Sequence, residues 1–248
     1  DCVEEDLYDA GYKMILCNTA KAHNAELEYL HMLNRHIVDG VISGVHSLDI
    51  AEYRKVQKPI VALDRYLDEE IPVVAVDHAS GGRMAAEELL RCSCRNILHF
   101  CGSTAVESPY HQRHQEFEKC MARRHCRTTM YELEWNRLDS QYYQEVVEAV
   151  FFQPFDYDGV FAVDWLAIEC MNEALRRGYK VPRDICFVSY DGTFLTNVVE
   201  PRMTTIVQPI AGLAKEAVRL LTDQIQGRKP QNKSVVLGVT LRKGHTTR

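Results

Sequence analysis

The sequence contains no long apolar run. No stretch approaches the roughly 18 consecutive apolar residues that a membrane-spanning helix needs. Residues 1–6 are mostly acidic, whereas a secretory signal peptide begins with basic and then apolar residues. We therefore expect a soluble chain that makes no membrane contact.

Clusters of basic residues are also scarce. The formal net charge is -6, and pairs such as Arg123-Arg124 and Arg176-Arg177 fall at predicted helix ends. A surface that follows nucleic-acid phosphates needs clustered lysine and arginine side chains. The chain on its own is therefore not expected to bind nucleic acid.

Paired cysteine spacing is missing, although the chain has nine cysteines. The groups that come nearest to a zinc site are Cys92, Cys94 and His99, and Cys120, His125 and Cys126. Neither group has the Cys-x-x-Cys spacing of a structural zinc site, so we predict no metal. The cysteines fall in predicted strands and helices rather than in a loop-rich disulfide framework, which favours a reducing, cytoplasmic location.

Catalytic signatures are absent from the sequence as well. It has no Gly-x-Ser-x-Gly elbow, no Gly-x-Gly-x-x-Gly after a strand and no P-loop. Gly81-Gly82 lies at a predicted helix start without the rest of a phosphate-binding pattern, and we interpret it as a packing or turn feature. We therefore predict no catalytic residue, no cofactor and no enzyme activity.

Short apolar runs alternate along the chain with segments of helical periodicity. The predicted strands are residues 14–17, 38–45, 60–63, 73–76, 97–100, 129–133, 160–163, 185–188, 204–207 and 235–241. Helices such as residues 25–34 and 142–152 separate many of them. This alternation predicts parallel, doubly wound sheets. The strands are too many for one sheet of usual size, so we expect two α/β lobes.

Several helix boundaries carry sequence signals. Ser80 and Asp164 are predicted as N-caps, because short polar side chains there can accept a backbone hydrogen bond. Pro209 is predicted as the first residue of the helix that follows Gln208. A short helix is also expected around residues 50–56.

Four aspartates directly follow predicted strands: Asp64, Asp77, Asp164 and Asp191. In open α/β sheets ligands bind beyond the carboxyl ends of the strands, so these carboxylates are candidates for one shared site. Aspartate after a strand is also a favoured helix N-cap, and that alternative stays open for each residue. A magnesium site for phosphoryl transfer would need two acidic groups at one strand end, and the sequence has none.

Arg65, Arg113 and Gln208 also lie near predicted strand ends or helix starts. Guanidinium and carboxylate groups offer the paired donors and acceptors that match neighbouring sugar hydroxyls. Trp165 or Trp135 could cover the apolar face of a sugar, although packing in the core is the alternative for both. The polar set therefore favours a sugar or a phosphorylated sugar as the ligand.

Six short motifs occur in a fixed order that covers nearly the whole chain. They are Gly11-Tyr12-Lys13-Met14-Ile15-Leu16-Cys17-Asn18-Thr19, Val38-Asp39-Gly40-Val41-Ile42, Val163-Asp164-Trp165-Leu166-Ala167, Val181-Pro182-Arg183-Asp184-Ile185, Tyr190-Asp191-Gly192 and Thr204-Thr205-Ile206-Val207-Gln208-Pro209. In this order they resemble the effector-binding region of the lactose/galactose repressor family. The resemblance implies a periplasmic-binding-protein fold of type I, with two α/β lobes and a ligand cleft between them.

The resemblance also implies how the lobes share the chain. Residues 1–101 and 208–232 would form the N-terminal lobe, without its first strand, and residues 102–207 and 233–248 the C-terminal lobe. The family's helix-turn-helix is not in this sequence. Operator DNA would therefore be bound through a missing N-terminal domain.

Ligand contacts carry over from the family residue by residue. Positions that hydrogen-bond the effector match Asp77, Arg113 and Asp191, and a position at the hinge matches Gln208. Asp164 matches the aspartate of the family's Asn-Asp pair, whose asparagine is replaced here by valine. The predicted ligand site consists of Asp77, Arg113, Asp164, Asp191, Gln208, Arg65 and Trp165.

The resemblance implies the effector-binding and dimerisation module of a transcriptional repressor of carbohydrate-utilisation genes. Its partners would be a small-molecule sugar, a second copy of the chain and operator DNA. A periplasmic sugar-binding protein of an uptake system has the same fold and is the alternative, and a doubly wound enzyme is the third hypothesis. The nine cysteines and the motif at residues 204–209 favour the repressor.

Overall fold

The computed structural model describes residues 1–18, 25–44, 53, 55–56, 58–104, 107–134, 137, 139–152, 154–230 and 232–248. The helices are α1 (Cys2–Asp9), α2 (Ala25–Asn34), α3 (His78–Arg91), α4 (His111–Arg123), α5 (Ser140–Phe152), α6 (Asp164–Arg176), α7 (Leu195–Val198) and α8 (Ile210–Ile225). The strands are β1 (Val41–Ser43), β2 (Ile60–Leu63), β3 (Val73–Val76), β4 (Asn96–Cys101), β5 (Arg127–Glu132), β6 (Gly159–Val163), β7 (Cys186–Asp191), β8 (Thr204–Val207), β9 (Ser234–Leu237) and β10 (Thr240–Arg242). In this described part of the chain, no helix is long and apolar enough to cross a membrane.

The chain divides into two compact units, each drawn from three separate stretches. Unit 1 contains Asp1–Val76, Ala105–Tyr110 and Pro209–Leu237, and unit 2 contains Asp77–Thr104, His111–Gln208 and Gly238–Arg248. Each unit has its own sheet and its own hydrophobic core. The prediction of an α/β fold with two parallel-sheet lobes is confirmed.

Unit 1 is built on a parallel sheet with the strand order β1-β2-β3-β9. Strands β2 and β3 contain only apolar residues and are almost entirely buried, as is typical of parallel strands covered on both faces. Leu30 and Leu33 of α2 join Ile60 of β2 in the core, and α8 also packs against β2. The sheet is therefore the centre of this unit.

Unit 2 is built on a six-stranded sheet with the order β10-β8-β7-β6-β4-β5. All neighbouring strands are parallel except β10, which runs antiparallel to β8. The core includes Phe187 of β7, Leu166 of α6 and Phe151 of α5. Tyr190 pairs with Val163, and its neighbour Asp191 pairs with Val207. The carboxyl ends of β6, β7 and β8 therefore meet at one edge of the sheet.

The division into units differs from the first predicted lobe boundary by one helix and one strand. The boundary lies between Val76 and Asp77 rather than near Gly102, so α3 and β4 belong to unit 2. The physical reason is strand pairing, because β4 forms its ladder with β5 and β6 and not with β3. The other two predicted boundaries, after 207 and 232, lie within about one and five residues of the unit changes after Gln208 and Leu237, while the short stretch Ala105–Tyr110 of unit 1 was not predicted.

Three predicted strands differ from the structure. Residues 14–17 form no strand, and Ile15 and Leu16 are 60% and 86% exposed, because no described strand pairs with this segment. The predicted strand 235–241 is two strands, β9 and β10, which separate at Gly238 and join different sheets. Strand β1 is shorter than predicted, and the predicted end at Val45 and most of the helix at 50–56 lie outside the described residues.

Three predicted helix starts are shifted. Helix α3 begins at His78, and the cap is Asp77 rather than Ser80, whose backbone N–H donates to the Asp77 carboxylate. Asp164 is the first residue of α6 and not its cap, because its carboxylate is used inside the core. Pro209 is the N-cap of α8 and lies one residue before the predicted place. In each case a polar residue or a proline correctly indicates that a helix begins nearby, but it does not identify the exact first residue of the helix.

Candidate functional site

Tyr190, near the carboxyl end of β7, connects three elements of unit 2. Its side chain is 1% exposed, and the guanidinium carbon of Arg113 on α4 lies 4.4 Å from the centre of its ring. Its hydroxyl oxygen lies 3.0 Å from Nδ1 of His78 on α3. A cation above an aromatic face contributes roughly 0.5 to 2 kcal/mol. Tyr190 thus joins β7, α3 and α4 at one point, which we call the Tyr190 cluster (His78, Arg113 and Tyr190).

Gly81 and Gly82 allow α3 to approach the Tyr190 cluster closely. A Cβ atom at Gly81 would lie 2.7 Å from Cε2 of Tyr190, and one at Gly82 would overlap the carbonyl oxygen of Arg113. Both positions therefore require the absence of a side chain. This confirms the interpretation of the glycine pair as a packing feature.

Asp77 lies directly before the Tyr190 cluster as the N-cap of α3. Its carboxylate accepts a hydrogen bond from the backbone N–H of Ser80 over 2.8 Å. The alternative that this strand-end aspartate is a helix cap is therefore correct. A carboxylate has several acceptor positions, so capping is compatible with a ligand contact. The capping hydrogen bond fixes the orientation of the Asp77 carboxylate, and Asp77 is the residue directly before His78.

Asp191, the last residue of β7, is held in an unusual backbone conformation. Its φ is 113°, in the region that disfavours residues other than glycine. Gln208 donates from Nε2 to the Asp191 carboxylate over 2.7 Å and from its backbone N–H to the Asp191 carbonyl over 3.1 Å. Gly192 follows with φ 73°, close against Val207. Strained backbone of this kind concentrates at functional sites.

Asp164 lies in the interior of unit 2. It is 2% exposed, and Oδ1 accepts hydrogen bonds from the hydroxyls of Ser189 (2.6 Å) and Thr205 (3.0 Å). Oδ2 accepts from the backbone N–H and the hydroxyl of Thr193, over 2.6 and 2.8 Å. The carboxylate therefore ties the start of α6 to β7, β8 and the loop after β7. Its predicted contact with a ligand stays a prediction.

Trp165 follows Asp164 and belongs to an aromatic pair with Tyr143 of α5. The two ring centres are 6.2 Å apart, and Trp165 is 43% exposed while Tyr143 is buried. Burial raises the pKa of the Tyr143 hydroxyl, and the negative charge of Asp191 raises it further. The aromatic pair therefore lies within electrostatic reach of Asp191. Trp135, the other tryptophan considered above, lies outside the described residues.

Arg65 is the predicted site residue that belongs to unit 1. It is 4% exposed, and its Nη1 lies 3.5 Å from the hydroxyl oxygen of Ser43. The ring centre of Tyr53 lies 5.6 Å from its guanidinium carbon, and the Tyr53 and Ser43 hydroxyl oxygens are 3.2 Å apart. Arg65 is thus held by the ends of β1 and β2 and by Tyr53.

All predicted site residues other than Arg65 belong to unit 2. Arg113 contacts Tyr190, while Asp191 contacts Gln208 at the adjacent strand end. Sequence reasoning missed His78, Tyr190 and Tyr143. His78 and Tyr190 directly follow or precede the flagged residues Asp77 and Asp191, so their position was the signal. Tyr143 carries no such signal, because only tertiary packing brings α5 to this place.

A cavity of about 860 Å³ lies in unit 1, and its lining contains Ser43 and Tyr53, the neighbours of Arg65, but none of the predicted site residues themselves. Most of its lining is apolar, including Leu7 of α1, Ile42 of β1, Leu221 of α8 and the segment with Ile15 and Leu16. Such a lining provides few of the polar partners that a sugar needs. Among the described residues, no three His, Cys, Asp or Glu side chains are grouped to hold a metal ion.

Comparison with known proteins gives consistent results. The family model for the periplasmic binding protein-like domain matches residues 86–247. The ribose operon repressor of Halalkalibacterium halodurans is 34% identical over 229 residues, which is 92% of this chain and 68% of that protein. The sucrose operon repressor of Pediococcus pentosaceus is 33% identical over 246 residues, or 98% of this chain and 75% of that protein.

A solved structure agrees over the full chain. It is a periplasmic binding protein/LacI transcriptional regulator from Alkaliphilus metalliredigens, complexed with D-xylulofuranose. The TM-score is 0.85 at 28% sequence identity, and the match covers 100% of this chain and 92% of that chain.

The sheets and the family match together define a periplasmic-binding-protein-like domain. Within that class these two relatives are repressors of sugar operons rather than proteins of uptake systems. The chain belongs to the lactose/galactose repressor family of transcriptional regulators, as the order of its motifs predicts.

Proposed function

We propose that this chain is the sugar-binding and dimerisation module of a repressor of carbohydrate-utilisation genes. A ligand changes the activity of such a protein only if it binds one conformation more tightly than another. The relatives that are repressors of ribose and sucrose operons support the regulatory role. The ligand class is supported by the residues that converge at the strand ends of unit 2.

The observation that carries the sugar assignment is the position of Arg113, whose guanidinium carbon lies over the buried ring of Tyr190, 4.4 Å from the ring centre. A guanidinium group donates paired hydrogen bonds in a fixed plane, which matches two adjacent hydroxyl oxygens. Asp191 and Asp77 supply carboxylate acceptors for hydroxyl hydrogens. Arg113 therefore provides hydrogen-bond donors for a sugar hydroxyl oxygen, and the two aspartates provide acceptors for a hydroxyl hydrogen.

The remaining predicted residues have supporting roles in this proposal. Gln208 holds the Asp191 carboxylate through a 2.7 Å hydrogen bond. Trp165, which is 43% exposed, offers an apolar face to a sugar ring. Arg65 offers a buried guanidinium donor within unit 1, and Asp164 orders the loop that follows β7.

The proposal excludes catalysis and direct DNA contact by this chain. The ribose and sucrose operon relatives are repressors, which favours regulation over catalysis. The net charge of -6 does not favour phosphate contacts, so we assign operator DNA to a separate DNA-binding segment. A protein that acts on operator DNA, with nine thiols, fits the cytoplasm.

The sugar assignment is tested by thermal unfolding with a ligand panel. The panel contains D-ribose, sucrose, D-xylulose, ribose 5-phosphate, adenine and a neutral amino acid. We expect a sugar or the sugar phosphate to raise the melting temperature, because a ligand that binds only the folded state stabilises it. If only adenine or the amino acid raises it, the sugar assignment is wrong.

Arg113→Ala tests the site itself. Arg113 is half-buried, and loss of a charged donor to the ligand costs a few kcal/mol, so the variant should lose most of the thermal shift. Arg176→Ala is the matched control, because Arg176 is an exposed helical arginine whose ion pair is with Glu173. A full shift in Arg113→Ala would contradict the proposed site.

We infer that the chain also forms a homodimer. Phe194 and Val198 are 73% and 71% exposed and lie four residues apart at α7. Side chains at this spacing share one helix face, so they form a small apolar surface. Exposed apolar groups of this kind mark protein contacts when they are clustered.

A further inference from the structure

Two buried histidines of unit 2 follow Arg113 in a series of contacts: His114 contacts Arg113, and His99 contacts His114. His99 on β4 is 0% exposed, and His114 on α4 is 8% exposed. The rings of Phe117 and Phe161 lie 4.6 and 5.2 Å from the His99 ring, between centres. Buried polar atoms in such apolar surroundings need partners within the protein. The ring nitrogens are therefore expected to be paired.

The two histidines belong to a continuous series of hydrogen bonds from Arg113 to Glu118. Nε of Arg113 lies 3.3 Å from Nε2 of His114, and Nδ1 of His114 lies 2.9 Å from Nε2 of His99. Nδ1 of His99 lies 2.7 Å from Oε1 of Glu118. Thr128 on β5 donates its hydroxyl to Oε2 of Glu118 over 2.6 Å. The series therefore connects Arg113, near the start of α4, through His99 of β4 to Glu118 on the same helix.

One placement of the protons satisfies every contact with neutral rings. An ionised Glu118 carboxylate only accepts, so Nδ1 of His99 must donate. The neutral His99 ring then has a bare Nε2, which accepts the Nδ1–H of His114. Nε2 of His114 is bare in turn and accepts the Nε–H of Arg113, which stays protonated in proteins. Donation therefore runs in one direction, from Arg113 to Glu118.

The charges around the series agree with this placement. Burial lowers the pKa of His99 and outweighs the opposite effect of Glu118. Burial lowers the pKa of His114 well below its usual value, and the Arg113 charge adds to this. Burial raises the pKa of Glu118, but the hydrogen bonds from His99 and Thr128 lower it more. Both histidines are thus neutral, and Glu118 is ionised, at neutral pH.

We propose that Glu118, His99 and His114 are positioning residues that hold the Arg113 guanidinium in one orientation for effector binding. His114 holds the Nε edge of the group, and the Tyr190 ring lies against the group, with the guanidinium carbon 4.4 Å from the ring centre. A bidentate contact depends on both edge and plane, so a preset orientation reduces the entropy lost on binding. The effect on effector binding rests on the proposed function, whereas the series of hydrogen bonds is independent of it.

The orientation is tested by NMR on the whole chain with 15N-labelled histidine and arginine. We expect His99 and His114 to be neutral Nδ1–H tautomers at pH about 7, and the Arg113 Nε–H to exchange slowly with solvent. His114→Phe should speed that exchange at least about tenfold, and His114→Gln, which keeps an acceptor and a donor, should restore part of the protection. An Nε2–H tautomer or a doubly protonated ring at either position overturns the proposal, and the unmodified chain is sufficient to show it.

The effect on binding is tested by calorimetric titration with D-ribose and sucrose. Glu118→Leu should weaken the sugar that binds by roughly tenfold, since it removes the acceptor at the end of the series. Glu116→Leu, on the same helix but outside the series, should leave the affinity unchanged. Unchanged affinity and unchanged Arg113 exchange in Glu118→Leu would overturn the proposal. If neither sugar binds, that result counts against the proposed function. The histidine tautomers and the Arg113 Nε–H exchange rate would still test whether the series of hydrogen bonds orients Arg113.

Discussion

At the residue scale, Asp191 is held in a conformation that its residue type disfavours. A φ of 113° places it outside the regions that side-chain-bearing residues normally adopt. Such strain costs about 1–3 kcal/mol and persists only where the surrounding structure enforces it. Here the two hydrogen bonds from Gln208 do so, one to the carboxylate and one to the carbonyl. The strain is informative because a glycine would adopt this conformation without it.

Replacement of Asp191 by glycine and by alanine separates the strain from the carboxylate. Both variants lose the hydrogen bond from Gln208 Nε2 to the carboxylate and keep the backbone hydrogen bond to the carbonyl, but only glycine relieves the backbone strain. We expect Asp191→Gly to have a free energy of unfolding about 1 kcal/mol above that of Asp191→Ala, measured by urea denaturation. Both variants should lose sugar binding in calorimetry. An alanine variant as stable as the glycine variant would show that the position is not strained.

His99 and His114 make stability depend on pH. Both pKa values are lowered by burial from the usual 6.5, that of His114 further by Arg113, His99, His111 and His78, while Glu118 opposes the shift of His99. The unfolded chain therefore binds more protons than the folded chain below pH 6.5, and stability decreases as the pH falls through this region. Urea denaturation between about pH 7.5 and about pH 5.5 should show a falling free energy of unfolding.

The source of that pH dependence is checked by two variants. His114→Phe removes one titrating ring and should flatten the dependence. His31→Gln removes an exposed histidine of α2 and should leave it unchanged. Stability that rises as the pH falls would mean that the buried histidines are charged in the folded chain, contrary to their surroundings.

Single residues of the site were predictable where the sequence marks a strand end. Asp77 and Asp191 follow apolar runs directly, and Arg113 carries over from the family motif. His99 was not predictable as the partner of His114 and Glu118, because it lies within a strand and both partners are on α4. Tertiary packing alone brings the two elements together.

At the element scale, two glycines of α3 allow this helix to pack closely against α4 and against Tyr190 of β7. Gly82 of α3 faces the carbonyl oxygen of Arg113, and Gly81 faces the ring of Tyr190. The sequence indicated a packing or turn role for this pair but not the opposing residues. Helix propensity would favour alanine at both positions, so contact and not propensity explains the glycines.

Gly82→Ala measures this contact. Alanine is favoured over glycine by about 1 kcal/mol within a helix, but its Cβ would overlap backbone that cannot move cheaply. We expect a net loss of stability of about 1–3 kcal/mol in urea denaturation, together with weaker sugar binding because Arg113 must shift. Gly238→Ala is the control, since a Cβ there meets no atom within 4 Å. Equal stability of the two variants would contradict the close packing.

At the scale of the whole molecule, the alternation of strands and helices was predictable, but the assignment of β4 was not. Residues 97–100 read as a buried parallel strand, which fits either sheet. The choice depends on pairing with β5 and β6, whose contacts are distant in sequence. The same reasoning explains β9 and β10, which form one continuous apolar pattern but pair with β3 and β8 in different units.

The proposed homodimer gives the prediction that belongs to the whole molecule. Phe194 and Val198 form an apolar pair at α7 with exposures of 73% and 71%, so a charge at its centre should oppose burial in a contact. We expect the unmodified chain to sediment as a dimer and Phe194→Asp to weaken the dimer at least about tenfold. Phe152→Asp is the control, because Phe152 is 83% exposed but lies on α5. Dissociation by Phe152→Asp but not by Phe194→Asp would move the contact to the α5 surface, whereas a monomeric unmodified chain would contradict the homodimer itself.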